Sequence, residues 1–459
     1  MKIVCVGGGP AGLYFAIRAK LRNPGHDITV LERDLPGTTH GWGVVYWEPL
    51  LNALFRADAV SARELQAAST LWRGQRVTLG GPRYAYLPGY GYSVQRATLL
   101  ELLARRAVEL GVDVRYRRHV ADVNDLQALA AAADLVVAAD GANSQVRRLA
   151  GPDAFGTRVD VGANQYIWLG TNRRFENFMF AFERTAAGWI WFHAYPSAAD
   201  VSTCIVECAP ETWTGLGLDR LGDAEGCRLL ETIFNGPLAG HQLISDCRGR
   251  PAQWQRFSHV SNRRWHHDNI VLLGDAAHTT HFTLGSGTAL AIMDAIMLDR
   301  FLHERTDVAT ALRDFSHAGL AALRPLQDRA RVSMSWFEGV DAQLDPHAER
   351  PGRHSTQLVW HDELPGRPGA AAEPSAASAA SAAFATAADI EDAERSTATE
   401  ETPDPVDFAF RMATRQGDET PLRYHLLRAA QLPAVRALDQ QAGRGTRWLH
   451  EKRRALVTR

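Results

Sequence analysis

A glycine-rich turn near the N-terminus, residues 7–12, stands between two segments of different pattern. Lys2–Val6 is a short apolar strand, and Leu13–Arg22 has the apolar spacing of a helix. A second apolar strand, Asp27–Leu31, follows that helix. A strand, a tight turn, a helix and another strand in this order predict two parallel strands, because the helix carries the chain back to the starting edge. The N-terminal part is therefore expected to be a layered α/β domain.

The three glycines of the turn match the spacing of a dinucleotide-binding loop, G-x-G-x-x-G. Gly7 permits the turn, Gly9 lets the backbone approach a pyrophosphate, and Gly12 lets the helix pack close to the strand. The phosphates then lie at the helix N-terminus, where unpaired N–H groups favour an anion. Glu32 ends the second strand, where a carboxylate binds a ribose hydroxyl pair. The expected cofactor contacts in this unit are Gly7, Gly9, Pro10, Ala11, Gly12, Glu32 and Arg33.

Charge and cysteine content narrow the class of protein. The 459 residues include 50 basic and 52 acidic side chains, and a net charge of -2 excludes the strong basic field of a dedicated nucleic-acid binder. The five cysteines form no C-x-x-C pair, so we expect neither a disulfide framework nor a metal site. No stretch approaches the ~18 apolar residues that span a bilayer, and no secretory signal is visible. These features predict a cytoplasmic protein without a nucleic-acid or membrane partner, and they leave open whether it is a monomer or a homodimer.

The hydrophobic pattern changes along the chain and predicts several parts. Between residues 160 and 210, apolar and polar residues alternate, as in an antiparallel sheet. After Pro351 the composition shifts to Ala, Ser and Thr and then to acidic residues, which predicts disorder. The predicted fold is α/β, a Rossmann-like cofactor domain with an inserted, mainly antiparallel β-sheet substrate domain and C-terminal helices. The predicted boundaries are 1–155 for the cofactor domain with an excursion into the sheet domain at about 70–95, 156–262 for the sheet domain, 263–350 for the rest of the cofactor domain and long helices, 362–406 for a disordered insertion, and 407–459 for a helical tail.

Two further motifs follow apolar strands. The segment from Asp140 to Arg147, D-G-A-N-S-Q-V-R, ends one strand, and the segment from Gly274 to His278, G-D-A-A-H, ends another. In this order and at these spacings, the glycine turn and the two motifs resemble the FAD-dependent aromatic hydroxylases of the para-hydroxybenzoate hydroxylase fold. The resemblance implies that FAD occupies the single fingerprint and that NADH or NADPH binds transiently.

The same resemblance assigns roles to three polar residues. Asp140 belongs to a segment that, in the family, lies near both the flavin and the nicotinamide cofactor. Asp275 matches the aspartate that binds the ribityl chain. Arg96, in the stretch Arg-x-x-Leu-Leu-x-Leu-Leu, matches the arginine that reaches the FAD phosphates.

A longer likeness points to one subfamily, the salicylyl-CoA 5-hydroxylases and 2-aminobenzoyl-CoA monooxygenases. Residues 281–288 are similar to its H-F-S-I-G-S-G-T segment, and Gly41–Val45, Trp168–Thr171 and Phe180–Glu183 match it as well. Backbone N–H groups in residues 285–288 are expected to face the flavin edge where negative charge builds on reduction. The expected flavin contacts in this segment are Gly285, Ser286, Gly287 and Thr288.

The resemblance also implies a reaction. A flavin monooxygenase reduced by NADH or NADPH binds O2 as a C4a-hydroperoxide, and its distal oxygen attacks an electron-rich aromatic ring. The subfamily implies that the ring is carried as an aryl-CoA or similar thioester. His193 and His281 are the candidates for moving the proton of a ring OH or NH2 group. The expected substrate contacts are Val45, Trp189, Trp191, Tyr195 and Phe282.

Other interpretations stay open from the sequence. A related branch hydroxylates or epoxidises indole- or tryptophan-derived natural products. A flavin-dependent reductase of the same fold would not use oxygen, and a non-catalytic FAD-binding scaffold would oxidise neither NADH nor NADPH. Two arginine pairs, Arg173-Arg174 and Arg263-Arg264, flank the expected substrate sheet and could hold CoA phosphates.

A halogenase is a weaker alternative. Trp189-x-Trp191 also occurs in flavin-dependent tryptophan halogenases, but the second half of their motif is missing here. Those enzymes also need a lysine beside the substrate. The only lysines are Lys2 in the first strand, Lys20 in the first helix and Lys452 in the tail, and none is suitably placed.

Overall fold

The computed structural model describes residues 1–39, 41–344, 404–413 and 430–431. Its strands are β1 (Lys2–Val6), β2 (Asp27–Glu32), β3 (Gly43–Tyr46), β4 (Thr70–Leu79), β5 (Tyr84–Gln95), β6 (Asp113–Tyr116), β7 (Leu135–Ala138), β8 (Thr157–Thr171), β9 (Phe178–Thr185), β10 (Gly188–Pro196), β11 (Ser202–Cys208), β12 (Leu243–Ile244), β13 (Gln255–Asn262), β14 (His266–His267) and β15 (Ile270–Leu272). Its helices are α1 (Pro10–Arg22), α2 (Glu48–Ala57), α3 (Ala59–Ala68), α4 (Arg96–Glu109), α5 (Val123–Ala132), α6 (Gln145–Leu149), α7 (Pro152–Phe155), α8 (Pro210–Gly215), α9 (Asp223–Ile233), α10 (Asn235–Leu238), α11 (Gly287–Glu304), α12 (Val308–Glu338), α13 (Val340–Gln343) and α14 (Pro405–Ala413).

The first sheet has six strands in the order β14-β15-β7-β1-β2-β6. Its strands β15, β7, β1, β2 and β6 are parallel, while β14 runs antiparallel to β15 at the edge. Every residue of β7 and β15 is buried, as expected for central parallel strands covered on both faces. This sheet and helices α1, α4 and α11 form the Rossmann-like domain, so the α/β fold predicted from the glycine turn is confirmed.

The second sheet has nine strands, drawn from separate parts of the chain. The order is β12-β8-β11-β10-β9-β4-β5-β3, and β13 also pairs with β8. Neighbouring strands are antiparallel except for β4 and β9, which are parallel. β4 and β5 coincide with the stretch expected at about 70–95. β3 also joins this sheet through β5, which the sequence pattern at residues 43–46 does not indicate.

Side chains of β9 and β10 alternate between the two faces of the second sheet, as the sequence pattern predicts. Phe180 and Phe182 point to one face, and Met179 and Ala181 point to the other. Helices α12, α13 and α14 cover only part of the first face, where Phe408 packs edge-on against Phe182 with ring centroids 4.8 Å apart. The uncovered part of that face borders a cavity.

The C-terminal part of the chain is described only in short pieces. Helix α14 begins at Pro405, two residues before the predicted start of the tail at 407. The rest of the predicted insertion, and most of the predicted tail, lie outside the described residues. Gln431 pairs its side-chain amide with both backbone groups of Tyr86, at 2.7 and 2.8 Å.

Among the described helices, none combines the length and apolar character needed to cross a bilayer.

Candidate active site

The glycine turn is tightly closed at two of its three glycines. Gly7 has a φ of +111°, and a side chain there would overlap the carbonyl group of Ala139. A side chain at Gly12 would overlap the Gly7 carbonyl oxygen. Both positions therefore need glycine for the fold itself, because the turn and the close approach of α1 to β1 leave no room for a Cβ atom.

Gly9 differs because protein packing does not require a glycine there. Its backbone is extended, with φ -77° and ψ 180°, and the nearest atom to an added Cβ is the Ala139 carbonyl oxygen, 3.9 Å away. The turn and the first residues of α1 line a cavity of about 520 Å³. A pyrophosphate fits this arrangement, since a helix N-terminus binds anions and a bare backbone allows close approach.

Glu32 stands at the wall of the same cavity, held by backbone N–H groups. Its Oε2 accepts a hydrogen bond from Gly8 at 2.8 Å, and its Oε1 accepts one from Asp34 at 2.8 Å. Each carboxylate oxygen has further capacity to accept, so ribose hydroxyls can bind here. Arg33 also lines this cavity, and its side chain is 58% exposed.

Asp140 and Arg147 organise the loop that follows β7. The Asp140 carboxylate accepts hydrogen bonds from the Ser144 hydroxyl (2.5 Å) and from two backbone N–H groups at the start of α6. Nη1 of Arg147 donates to the carbonyl oxygen of Ala276 at 2.7 Å. The two sequence motifs are thereby joined, because Ala276 belongs to the loop that carries Asp275.

Two cavities meet at Arg96, Asp275, Gly287 and Thr288, which line both of them. The first runs along the glycine turn, and the second, of about 590 Å³, lies against the larger sheet. Asp275 lines both cavities. Burial by the surrounding protein raises its pKa, and the positive charge of Arg96 opposes that rise. Burial also lowers the pKa of Arg96. A cofactor extending through both cavities would pass this pair of charged side chains.

The turn before α11 is built so that the helix N-terminus borders this junction. Gly285 has a φ of +62°, and a side chain there would overlap Val45 and Trp47. The Ser286 hydroxyl lies 2.9 Å from the Thr280 hydroxyl, which fixes the turn. The first N–H groups of a helix lack intrahelical partners, so this end suits the negative charge of a reduced flavin.

Aromatic rings line the second cavity. The His193 ring stacks on Phe178 and Phe282, with centroids 6.0 and 5.6 Å away and interplanar angles of 12° and 23°. Tyr195 also stacks on Phe178, at 5.3 Å, and its hydroxyl donates to the Gly43 carbonyl oxygen at 2.8 Å. The wall therefore presents several roughly parallel rings, which suits a flat aromatic substrate.

Most of the residues singled out in the sequence come together at these cavities. Those that line the first are Gly7, Gly9, Pro10, Ala11, Glu32, Arg33, Arg96, Asp140, Asp275, Gly287 and Thr288. Those that line the second are Val45, Arg96, His193, Tyr195, Asp275, Phe282, Gly285, Ser286, Gly287 and Thr288. Gly12 instead lies beneath the turn, where it packs on Gly7.

The two tryptophans of β10 that were expected to contact the substrate line neither cavity. Trp191 is fully buried and stacks on Phe182 and Phe337, with centroids 5.8 and 6.1 Å away. Trp189 packs against the same core cluster rather than against either cavity. The reason is that the first half of β10 runs beneath α12, whereas the second half reaches the second cavity.

His281 lines neither cavity, although Phe282 beside it lines the second one. Its Nδ1 lies 2.9 Å from the Thr283 hydroxyl, and its ring packs edge-on against Phe257 at 4.8 Å. These contacts hold the short 3-10 turn that begins at Phe282. Of the two candidate histidines, it is His193 that lines a cavity.

Tyr166, Trp168 and Phe257 line the second cavity but were not among the expected site residues. Tyr166 packs against Phe282 with centroids 4.6 Å apart. Burial raises the pKa of its phenol, with smaller contributions from nearby carboxylates, so the hydroxyl is a neutral hydrogen-bond donor. One feature of the sequence could have identified Trp168, because it lies in a segment shared with the subfamily. For Tyr166 the sequence offers only its position in an alternating strand.

The amino-acid sequence is similar to known proteins over most of its length. Residues 238–330 match the family model described as an FAD binding domain. The chain is 36% identical to the salicyloyl-CoA 5-hydroxylase of a Streptomyces species, over 74% of this chain and 65% of that protein. It is 34% identical to the 3-hydroxy-4-methyl-anthranilyl-[aryl-carrier protein] 5-monooxygenase of Streptosporangium sibiricum, over 79% of this chain and 96% of that protein. The chain belongs to the FAD-dependent aromatic monooxygenases.

This membership confirms the resemblance found in the sequence and FAD as the cofactor. The monooxygenase also shares its fold with a solved structure, the tetrameric form of 2-methyl-3-hydroxypyridine-5-carboxylic acid oxygenase. The TM-score is 0.55 at 20% identity, over 74% of this chain and 91% of that one, a likeness of fold alone. The chain spans 65% of the length of the salicyloyl-CoA 5-hydroxylase.

Proposed function

We propose that this monooxygenase hydroxylates an electron-rich aromatic acyl group carried as a CoA or similar thioester, para to a ring OH or NH2 group. NADH or NADPH is the reductant. The names of the two relatives support this substrate class, since one acts on salicyloyl-CoA and the other on an anthranilyl group on an aryl-carrier protein. The observation that carries the proposal is the distribution of charge in the second cavity.

Charged side chains are scarce in that cavity. Within the described part of the chain they are Arg96, Asp275 and Arg256. Arg96 stands beside Asp275 at the junction of the cavities. Arg256 is exposed, and its Nε donates to the Gly162 carbonyl oxygen at 2.8 Å. A free aromatic acid would bury its carboxylate among aromatic rings without a dedicated cation, which is costly, whereas a thioester carbonyl is neutral.

The protein groups that contact the substrate follow from the same geometry. His193, Phe178 and Phe282 hold the ring plane by stacking. Tyr166 lines the cavity with a neutral phenol, which would orient the ring substituents by a hydrogen bond. His193 is the candidate for accepting the proton of a ring OH or NH2 group, because it is the histidine that lines this cavity.

FAD fits the two cavities from end to end. Its pyrophosphate would lie at Gly9 and the N-terminus of α1, its ribityl chain at Asp275, and its pyrimidine edge at the N-terminus of α11. When bound, the flavin would supply the redox chemistry, which is reduction by NADH or NADPH and activation of O2 for transfer of one oxygen atom to the ring. The protein supplies position, a water-poor aromatic wall and donors aimed at the developing charge.

A ligand panel tests the proposal. The holoenzyme is offered salicylyl and 2-aminobenzoyl thioesters, the corresponding free acids and free indoles, and NADH or NADPH oxidation is measured together with product mass. We expect a thioester to stimulate oxidation and to gain one oxygen atom. Equal efficiency with a free acid or an indole would replace the thioester assignment by the natural-product alternative. Reduction of the ligand without oxygen incorporation would instead favour a flavin-dependent reductase.

A further inference from the structure

Two arginines near the second cavity each pack over the face of an aromatic ring. Arg76 lies on β4, with its Cζ 3.8 Å from the centroid of the Tyr84 ring. Arg173 follows β8, with its Cζ 4.8 Å from the centroid of the Phe175 ring. An aromatic ring beneath a guanidinium fixes its plane and leaves the N–H edge available for a ligand.

Arg76 and Arg173 repel each other electrostatically, and neither has an acidic partner among the described residues. Neither takes part in an ion pair there, unlike Arg106 with Asp58, whose atoms are 3.1 Å apart. Arg76 Nε and Arg173 Nη1 are buried without a hydrogen-bond acceptor in the described part of the chain. Burial and the positive charge of Arg76 lower the pKa of Arg173. Two like charges with unmade hydrogen bonds are costly, and an anion would relieve both costs.

The pair lies beside strands that line the second cavity, on the other side of the larger sheet. Gln75 lines that cavity and immediately precedes Arg76 in β4. Phe178 lines it too, and it closes the loop that contains Arg173. Gln75 and Phe178 are partners in the parallel pairing of β4 with β9. Because side chains alternate along β4, Arg76 points to the face opposite the cavity. A ligand that contacts both the arginine pair and the second cavity must therefore pass around the start of β9.

We propose that Arg76 and Arg173 form an anion site that binds a phosphate of a pantetheine-type thioester while its aromatic acyl group occupies the second cavity. Arginine forks bind phosphate through paired hydrogen bonds, and the pantetheine arm is long and flexible. The ligand identity rests on the proposed function, whereas the existence of an anion site does not. The phosphate can belong to CoA or to the phosphopantetheine of a carrier protein.

The other arginine pair suggested by the sequence does not fit this role. Nε of Arg264 donates to the Ala154 carbonyl oxygen at 2.6 Å, and the Arg263 side chain packs over Gly156. These residues fasten the segment around α7. Within the pair Arg173-Arg174, Arg174 is exposed, so it provides a matched control of the same charge.

The first experiment measures binding without turnover. CoA is titrated calorimetrically into the holoenzyme and its variants Arg76→Gln, Arg173→Gln and Arg174→Gln. We expect CoA affinity to fall by roughly tenfold in each of the first two variants, the scale of a charge-assisted hydrogen bond, and to stay unchanged in the third. Thermal unfolding should be unchanged or improved, because each substitution removes a like-charge contact. Equal CoA affinity in all four proteins, or no CoA binding to any, would overturn the site.

The second experiment separates this site from the proposed function. Turnover is measured with an acyl-CoA, with the same acyl group on a phosphopantetheinylated carrier protein, and with its N-acetylcysteamine thioester, which lacks phosphate. Arg76→Gln and Arg173→Gln should raise KM for the phosphate-bearing substrates and leave the truncated thioester unaffected. An effect on acyl-CoA alone assigns the contact to CoA-specific phosphates, and an effect on both assigns it to the pantetheine phosphate. If the thioesters are hydroxylated but the KM values of Arg76→Gln and Arg173→Gln are unaltered, the anion site is wrong and the proposed function stands. If the two variants bind CoA more weakly but no thioester is hydroxylated, the proposed function is wrong and the anion site stands.

Discussion

The His278 imidazole lies 2.8 Å from the Asp294 carboxylate, and both side chains are buried. Asp294 stands on α11 and also accepts a hydrogen bond from the Gly274 N–H at 3.2 Å. Burial opposes the charged imidazole, but the adjacent carboxylate outweighs it, so the pKa of His278 is raised above its ordinary 6.5. This pair fastens the loop that carries Asp275 to the helix whose N-terminus borders both cavities.

We expect His278→Gln to lower the free energy of unfolding by roughly 3–5 kcal/mol, because it leaves a buried carboxylate without its partner. A raised histidine pKa gives stability that is complete below about pH 6.5 and is lost as the pH rises through the folded-state pKa. Denaturant unfolding is measured below pH 6.5 and above the folded-state pKa of His278. The parent protein should lose this part of its stability between the two pH values, and the variant should not. His267→Gln, which removes an exposed histidine 3.7 Å from Asp268, is the control. An unchanged slope in His278→Gln would refute the assignment.

Gly9→Val tests the pyrophosphate site without disturbing the fold. The extended backbone of Gly9 accepts valine, and no protein atom lies within 3.9 Å of the added Cβ. The side chain would occupy the space that a pyrophosphate needs. We expect a folded protein that binds FAD at least about 100-fold more weakly, equivalent to ~3 kcal/mol, measured by flavin absorbance after purification and by titration of the apoprotein.

Gly222→Val is the matched control for this substitution. Gly222 is also the residue before a helix, its backbone is likewise extended (φ -71°, ψ 164°), and no atom lies within 4 Å of an added Cβ. It lines neither cavity. Normal FAD retention is expected there. Tight FAD retention in Gly9→Val would contradict the cofactor assignment.

The cofactor half of the site could be predicted because its signals are local. The glycine turn fixes a strand, a helix and their separation within a dozen positions. The motifs at Asp140 and Asp275 each end an apolar strand, and β7 and β15 are adjacent parallel strands. Their carboxyl ends therefore meet at one edge of the sheet, so short-range pattern was enough to place both carboxylates at the first cavity.

The substrate half could not be predicted in the same way because distant segments decide it. Alternation along β10 places Trp191 and His193 on one face, but Phe337 and Phe408 cover only the part near Trp191. Nothing within β10 distinguishes its covered half from its open half. The parallel pairing of β4 with β9 likewise joins residues about a hundred positions apart, and it brings Arg76 to Arg173.

Glu207 is a buried acid whose titration should be visible in stability. Its carboxylate accepts hydrogen bonds from Asn164 Nδ2 (2.8 Å) and Trp191 Nε1 (3.3 Å), and burial raises its pKa from 4.5 to about 7. The folded state therefore holds a proton that the unfolded state releases. Its contribution to stability is present below pH 4.5 and is lost as the pH rises to about 7, a change on the order of 3 kcal/mol.

Glu207→Gln should remove that pH dependence, because a neutral amide imitates the protonated acid and Asn164 can turn its own amide to match. We expect little change near pH 5 and a gain of up to ~3 kcal/mol in unfolding free energy above pH 7. Denaturant unfolding at the two pH values measures it. Since burial also raises the pKa of Glu183 to about 7, Glu183→Gln is measured alongside to separate the two groups. An identical effect of Glu207→Gln at both pH values would disprove the prediction.

Tyr166→Phe tests whether the second cavity orients the substrate through a phenol that the sequence did not reveal. The ring should keep its contact with Phe282, and the hydroxyl has no hydrogen-bond partner in the described part of the chain, so FAD content and thermal stability should not change. Losing a hydrogen bond of about 0.5–1.5 kcal/mol should lower kcat/KM by roughly 3- to 10-fold. More reducing equivalents should then be consumed without product. Tyr90→Phe, which removes an exposed hydroxyl bonded to Glu48, should alter neither value. Full coupling and unchanged kcat/KM in Tyr166→Phe would mean that this phenol plays no part in substrate binding.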